Sequence, residues 1–283
     1  MRILVIIPAR GGSKGIPRKN MRLLVEKPLI SYSIINAINS IYNLEVAVST
    51  DDAEIARIAE ICGANVIKRP NNLASDNVTL DPVIYHATNI MEQKNNTKYD
   101  IVITMQATSP LLKTETLDAA IKFFIENDYD TVISGINKPH LFWTNKEGKI
   151  VPAYDKRLNR QYLPKHLVET GAFFISNRFF IREDNRFGQN VFIYEVPENE
   201  AVDIDSPQDW WIAEKELLKK NILIRVEGYS EIGLGHVYRG LLLGYNLIDH
   251  NIKFVLSEKS DLGIKKIKES HFPYAIVKND KEI

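Results

Sequence analysis

The sequence holds a single cysteine, Cys62, among 283 residues, which excludes an intrachain disulfide framework and a cysteine-rich metal site. It has no surplus of charge either, with 36 Lys plus Arg against 36 Asp plus Glu. A balanced chain has no overall field to draw it to nucleic acid or to an anionic membrane, so neither is expected as a partner. Its apolar runs stay well short of the roughly 20 residues that span a bilayer. The first residues lack the basic start, long apolar core and small-residue cleavage site of a signal peptide. Low-complexity tracts and short-period repeats are missing. These absences predict a soluble, cytoplasmic, globular protein that buries one large core or two smaller ones.

What is present is an alternation of short apolar runs with helical patterns. Strands are expected at Ile3–Ile7, Glu45–Ser49, Asn65–Ile67, Ile101–Met105 and Thr131–Ser134. Helices are expected at Leu29–Asn39, Asp51–Cys62, about Pro82–Gln93, and Glu115–Glu126. This is βαβ grammar, and it predicts an α/β fold with a mostly parallel, Rossmann-like sheet whose ligands bind beyond the carboxyl ends of the strands. From Asn137 to about Gln161 the pattern breaks into an excursion, read as an arm over about 137–165. Strand-like Gly171–Ser176 and a helix at Gln208–Lys220 follow. The text then restarts with the strand Asn221–Glu227 and a new glycine turn, so two domains are expected, 1–220 and a small α/β unit at 221–283.

The first strand runs into "IPARGGSKGIPRKN", Ile7 to Asn20. Gly11 and Gly12 permit a tight turn with N–H groups aimed at a ligand, while Arg10, Lys14, Arg18 and Lys19 supply positive charge suited to a phosphate tail. The spacing is neither the Walker pattern nor the dinucleotide Gly-x-Gly-x-x-Gly. A solvated basic turn would use the same residues. Later, in "VDID", residues two apart on an extended segment share a face, so Asp203 and Asp205 are able to converge on one cation, for which oxygen ligands suit Mg2+. The competing use is a solvated edge or the N-cap of the next helix.

The opening stretch resembles the signature of the N-acylneuraminate cytidylyltransferases, the enzymes that make CMP-linked nine-carbon acidic sugars. "VSTDDAEIA" at Val48–Ala56, "RPNNLASD" at Arg69–Asp76, "MQATSPL" at Met105–Leu111, "RQYLP" at Arg160–Pro164 and "VDIDSPQDW" at Val202–Trp210 match in the same order. The resemblance spans residues 1 to about 218. It implies the nucleotide-diphospho-sugar transferase type of fold, CTP as co-substrate with Mg2+, and a homodimer whose arm reaches the partner's site. It further implies that Arg10, Ser13, Lys14, Lys19, Asn20 and Arg69 handle CTP. Thr79 is the candidate for the serine or threonine that follows "ASD". Gln106, Thr108, Ser109, Arg160 and Gln161 fall to the sugar, and Asp203 and Asp205 to the metal. Lys14, Arg10 and Asp205 would carry the chemistry, nucleotidyl transfer with release of pyrophosphate in cell-surface glycan biosynthesis. No unique general base is assigned.

One feature sharpens the match and one departure qualifies it. The eight-carbon-sugar relatives carry an acidic residue where this chain has Thr108, which favours the nine-carbon reading. The neuraminate enzymes often carry arginine, and asparagine two places later, before a glycine where this chain reads Val168-Glu169-Thr170-Gly171, which turns the expectation towards legionaminate or pseudaminate as well as sialic acid. The restarted stretch "ILIRVEGYSEIGLGHVYRGLLLGYNL" resembles the opening of the UDP-sugar hydrolases of the pseudaminate pathway, with His236 at the active histidine, and is expected to be a partial or truncated unit. The alternatives are therefore a bifunctional fragment with a hydrolase part, or a catalytically silent cytidine-nucleotide-binding module.

Overall fold

The computed structural model describes residues 1–13 and 15–278, so Lys14 lies outside the described residues. The strand β1 (Ile3–Pro8) is followed by two short strands, β2 (Leu23–Leu24) and β3 (Lys27–Pro28), and by helix α1 (Leu29–Ile38). Next come β4 (Leu44–Thr50), α2 (Ala53–Ile61), β5 (Asn65–Lys68), α3 (Leu80–Asn95), β6 (Ile101–Thr104), α4 (Thr114–Glu126) and β7 (Thr131–Asn137). The excursion holds a hairpin, β8 (Trp143–Lys146) and β9 (Lys149–Pro152), before β10 (Leu167–Asn177), β11 (Val191–Glu195) and α5 (Pro207–Leu217). The last elements are β12 (Asn221–Arg225), α6 (Gly235–Asn246), β13 (Asn251–Ser257), α7 (Asp261–Glu269) and β14 (Tyr274–Val277). The chain divides into two compact units, Met1–Glu214 and Lys215–Ile283.

In the first unit seven strands form one sheet in the order β11-β7-β10-β6-β1-β4-β5. The interior strand β1 is apolar at every position from Ile3 to Ile7 because both of its faces are covered, as a parallel sheet between two helical layers requires. Ile3, Val5 and Ile7 enter the core that includes Ile30 and Ile34 of α1, Ile55 of α2 and Leu117 of α4. Leu4 and Ile6 enter the opposite core, with Ile84, Ala87 and Met91 of α3. Helix α2 starts where it does because the Asp52 carboxylate accepts from the N–H groups of Glu54 and Ile55 at 2.8 and 3.1 Å.

The strand-and-helix alternation read from the sequence is present throughout this unit, and the departures cluster at one side. Strand β7 runs on to Asn137 and β10 starts at Leu167, both longer than expected, because the two pair antiparallel from Leu167↔Asn137 as the arms of a long hairpin whose loop is the excursion. That return explains why β10 is antiparallel to β6 in an otherwise parallel sheet. Gly135 is the position in β7 that lets the neighbours close in, since a Cβ there would meet Ile193 of β11 and the carbonyl of Val168. Helix α5 closes at Leu217, three residues short of the expected end.

The second unit is a three-stranded parallel sheet in the order β12-β13-β14. Ile224, Phe254 and Leu256 pack with Val237 and Leu241 of α6 and Ile267 of α7. No helix of the described residues is long and apolar enough to cross a membrane.

Candidate active site

The strand order of the first unit reverses at β1: β4 and β5 continue to one side, and the chain then crosses to place β6 on the other. Such a switch point leaves a crevice beyond the carboxyl ends of the two diverging strands. A cavity of about 450 Å³ lies there. Pro8 ends β1 and Arg10 follows it, Gln106 and Thr108 follow β6, Arg69 follows β5, and Asp203 and Asp205 come from the segment before α5; all of them line it, together with Ser13, Lys19, Asn20 and Asp76.

The glycine loop is pinned by acids rather than left loose. The Gly11 N–H donates to Asp51 at 3.1 Å. A Cβ on Gly11 would lie 2.6 Å from Asp52 Oδ2, and one on Gly15 would collide with the backbone carbonyl of Asp205. Buried Asn20 donates through Nδ2 to the Arg10 carbonyl at 3.1 Å, closing the loop on itself. The cations are thereby held facing the cavity, each against a carboxylate or carbonyl. Arg10 Nη1 is 2.5 Å from Asp76 Oδ1. Lys19 Nζ is 3.0 Å from Asp205 Oδ1 and 2.5 Å from the carbonyl of Ile204. Arg69 is buried and donates to the Ser49 carbonyl at 2.6 Å. Burial pulls the Arg69 guanidinium below its ordinary value, with Asp51 opposing and Arg10 assisting the shift.

Asp203 is the most unusual group in the cavity. Its carboxyl is pushed above the usual range, first by burial, against a hydrogen bond from Thr108 and the charge of Lys19, with Asp205 and Asp209 adding to the rise. Its Oδ1 is buried and has no hydrogen-bond partner among the described residues. Ile204, between the two acids, is fully buried, and its N–H donates to the Thr108 carbonyl at 2.8 Å, which fixes the segment to the end of β6. Asp205 is held from below by Asp209, whose carboxylate accepts from the N–H groups of Asp205 and Ser206. Among the described residues no cluster of three or more metal-ligating side chains occurs, so a cation here would rest on this pair and on its substrate.

Residues 4–180 match the cytidylyltransferase family. The chain belongs to that family. It is 36% identical to the pseudaminic acid cytidylyltransferase of Campylobacter jejuni serotype O:2 over 229 residues, 78% of this chain and 98% of that protein. It is 29% identical to the N-acylneuraminate cytidylyltransferase of Escherichia coli O18:K1:H7 over 302 aligned positions, covering 98% of this chain and 69% of that protein. Among solved structures it is similar to CMP:2-keto-3-deoxy-manno-octonic acid synthetase complexed with CTP, at a TM-score of 0.56 and 16% identity over 77% of this chain and 99% of that one. At that identity the likeness shows a shared fold.

This cytidylyltransferase gathers Arg10, Ser13, Lys19, Asn20, Arg69, Gln106, Thr108, Asp203 and Asp205, nine of the residues singled out in the sequence, around one cavity. Others stand apart. Ser109 is buried and donates to the Thr170 carbonyl at 3.3 Å, a bond that ties the end of β6 to β10. Exposed Thr79 occupies the position before α3 without a side-chain capping bond, between the lining residues Val78 and Leu80. Arg160 and Gln161 stand exposed on the arm and do not line the cavity of their own chain. Three carboxylates at the site went unassigned in the sequence: Asp76, Asp51 and Asp209. Asp76 ends the quoted "ASD", Asp51 sits in "VSTDDAEIA" and Asp209 in "VDIDSPQDW", so all three were visible. Their roles were not: Asp76 and Asp51 hold a cation and a backbone N–H from a segment far away in sequence, and Asp209 holds the turn at Asp205 and Ser206.

Proposed function

We propose that the chain activates a nine-carbon acidic sugar with CTP, forming the CMP-sugar and releasing pyrophosphate. The observation that carries this reading is the convergence, at the switch point, of Arg10, Lys19 and Arg69 with the paired acids Asp203 and Asp205. In the reaction a hydroxyl oxygen of the sugar forms a bond to the α-phosphorus of CTP. The bond from that phosphorus to the bridging oxygen breaks, pyrophosphate carries away the electron pair, and the hydroxyl proton passes to solvent or a carboxylate. Little covalent work falls to the protein in phosphoryl and nucleotidyl transfer; positioning and charge stabilisation dominate.

The residues divide that work. Arg10 and Lys19 exchange their present carboxylate partners for phosphate oxygens, which are better matched to a guanidinium fork and a compact ammonium. Arg69 remains locked to Ser49 and offers fixed positive potential at the β5 side. Gln106 and Thr108 sit where nucleotide and sugar would meet. Asp203 and Asp205 are the residues that would hold Mg2+, and the buried, unpartnered Oδ1 of Asp203 suits that use. A bound Mg2+ supplies charge stabilisation at phosphate oxygens. Lys14 belongs to this set on the resemblance alone. The arm, with Phe142, Trp143, Ile150 and Tyr162 exposed, supports a homodimer in which Arg160 and Gln161 serve the partner's site. Cytoplasmic work is part of the same reading, since CTP is drawn from the cell's nucleotide pool. Residues 1–220 carry the chemistry and 221–283 form an attached α/β unit of partial hydrolase type.

The similarity to a pseudaminic acid enzyme makes pseudaminate the first substrate to try. Pyrophosphate release with CTP and Mg2+ should be measured against pseudaminate, legionaminate, neuraminate and the eight-carbon acid. Release with one nine-carbon acid is expected; binding of CTP with no release across the panel would replace this reading by a silent nucleotide-binding module.

A further inference from the structure

Arg186 is a cation that the mechanism above does not use, and its surroundings balance its charge without giving its Nε–H an acceptor. It lies in the loop between β10 and β11 with its side chain only 15% exposed. The backbone there is fixed: the Arg186 carbonyl accepts from Ser176 Oγ at 2.7 Å, and the Gly188 N–H donates to Thr131 Oγ1 at 3.1 Å. The head group is stacked, with Cζ 4.5 Å from the centre of the Phe174 ring. Its Nε is buried, has no hydrogen-bond partner among the described residues, and is 3.7 Å from Asp81 Oδ1, outside hydrogen-bond range. Burial pulls this guanidinium below its ordinary value, while Asp81 and Glu169 oppose the shift. A buried N–H of a charged group that is left without an acceptor is costly, and a ligand oxygen is one way to satisfy it.

The sheet order says which ligand. Arg69 follows β5, Arg10 follows β1, Gln106 follows β6, and the Phe174 beneath Arg186 belongs to β10, so these groups run in that order across the sheet. Phe174 is paired with Thr104, two residues before Gln106. Gly171 of the same strand, at φ +72°, lies so close to Gln106 that a Cβ would be 2.9 Å from its amide nitrogen. Asp81, on the other flank of Arg186, stands between the cavity residues Leu80 and Val83. On the function proposed above, with the nucleoside towards Arg69 and the phosphates at Arg10 and Lys19, a second reactant beyond Gln106 would lie on the Arg186 side of the sheet.

We propose that Arg186, flanked by Asp81 and Glu169, determines specificity for the sugar, and that its unpaired Nε–H takes an uncharged oxygen of that sugar, a hydroxyl or an acyl carbonyl. The sugar's own carboxylate does not belong there, because two carboxylates already outweigh the single guanidinium. Exposed Glu169 is placed to accept a neighbouring O–H or N–H of the same substituent. This rests on the function proposed above.

The test is steady-state kinetics of wild type, Arg186→Lys and Glu169→Gln, with the sugar and CTP varied separately. Lysine keeps the charge but lacks the guanidinium Nε–H and the flat stacking surface. Arg186→Lys should raise KM for the sugar roughly tenfold, the loss of one charge-assisted hydrogen bond, and leave KM for CTP within about twofold. Glu169→Gln, which disturbs no buried group, should raise KM for the sugar by about threefold. Unchanged sugar KM values in folded variants would overturn the proposal, as would sugar and CTP constants rising together. A shift of Arg186→Lys from dimer to monomer at unchanged sugar KM would also overturn it, assigning the acceptor to a second copy. If Arg186→Lys does not fold, an unaffected sugar KM in Glu169→Gln overturns it. Should the wild type turn over none of the sugar acids, the function itself fails and this assignment with it; turnover by wild type with indifferent variants removes this assignment alone.

Discussion

The two units begin with the same device, an apolar strand followed by a glycine-containing turn, and they use it differently. After β1 the turn holds Arg10 and Lys19 at a cavity. After β12 the first glycine serves packing: a Cβ on Gly228 would press on Val237 and on the backbone of Gly263, whose N–H donates to the Gly228 carbonyl at 2.8 Å. The half-buried acids differ in the same sense. Burial pushes the Glu227 carboxyl up, but bonds from Ser257, Ser260 and Arg225 bring it below its ordinary value, whereas Asp203 is left raised with one oxygen that has no partner among the described residues. Topology explains the contrast. The order β12-β13-β14 runs in one direction and has no reversal, and a cavity of about 700 Å³ in this unit lies instead at the amino ends of the strands, lined by Leu223, Tyr245, Ile252 and Phe272. A glycine turn becomes a site only where diverging strands open a crevice and leave polar groups unsatisfied.

If the unpartnered acid is what separates the units, Asp203→Asn should remove the difference. Turnover should fall by about 100-fold or more, as when a group acting on transition-state charge is lost. Stability should move the other way. The folded-state pKa of Asp203 is raised, so between its ordinary value of 3.8 and the folded value the native state binds more protons than the unfolded one, and stability falls as pH rises through that window. Above that window the wild type carries the cost of a partly buried charge. The neutral amide of Asp203→Asn carries none, so the variant should melt higher at pH 7, with the gap closing as pH drops below the ordinary carboxylate range. Thermal melts against pH, set beside pyrophosphate release, check both halves; a variant less stable at pH 7 would mean that Asp203 is held for structure.

The alternation of strands and helices in the first unit was legible because periodicity and burial agree there: Ile3–Ile7 is apolar throughout for a strand covered on both faces. The edge of the sheet was not. Strand β11 is half-exposed, and the hairpin β8 and β9 carries exposed residues such as Trp143 and Ile150, so neither shows a buried period. At the site, most of the charged residues that line the cavity were legible from motif words. Those that face one another were not, since Asp76 meets Arg10 across 66 residues and Asp205 meets Lys19 across 186. Arg186 lay in no motif and showed itself only through a buried nitrogen without an acceptor.

The glycines sharpen the comparison at smaller cost. Gly15 lies against the Asp205 carbonyl, so Gly15→Ala must move either the phosphate loop or the acidic segment, an overpacking cost of about 1–3 kcal/mol placed on both sides of the cavity. A rise in KM for CTP of about tenfold is expected. Gly233 has φ +69° with nothing near its absent Cβ, so Gly233→Ala should cost about 1 kcal/mol of backbone strain and leave CTP kinetics alone. Equal effects of the two substitutions on CTP kinetics would show that the turns are not used differently.

The smallest expected effect tests whether the second unit takes part in the chemistry. His236 is exposed at the second position of α6, the place where the resemblance to a sugar-nucleotide hydrolase sets an active histidine. A functioning histidine needs converging partners, and the carboxylate at the end of this sheet, Glu227, already spends its oxygens on Ser257, Ser260 and Arg225. His236→Ala should therefore change stability by no more than about 0.5 kcal/mol, as for an exposed side chain, and leave CTP-dependent pyrophosphate release unaltered. Wild type and variant should both leave UDP-sugars uncleaved when CTP is omitted. Cleavage by the wild type that disappears in His236→Ala would give the second unit a site of its own, and the contrast between a crevice with unsatisfied groups and a sheet with satisfied ones would no longer separate the working unit from the silent one.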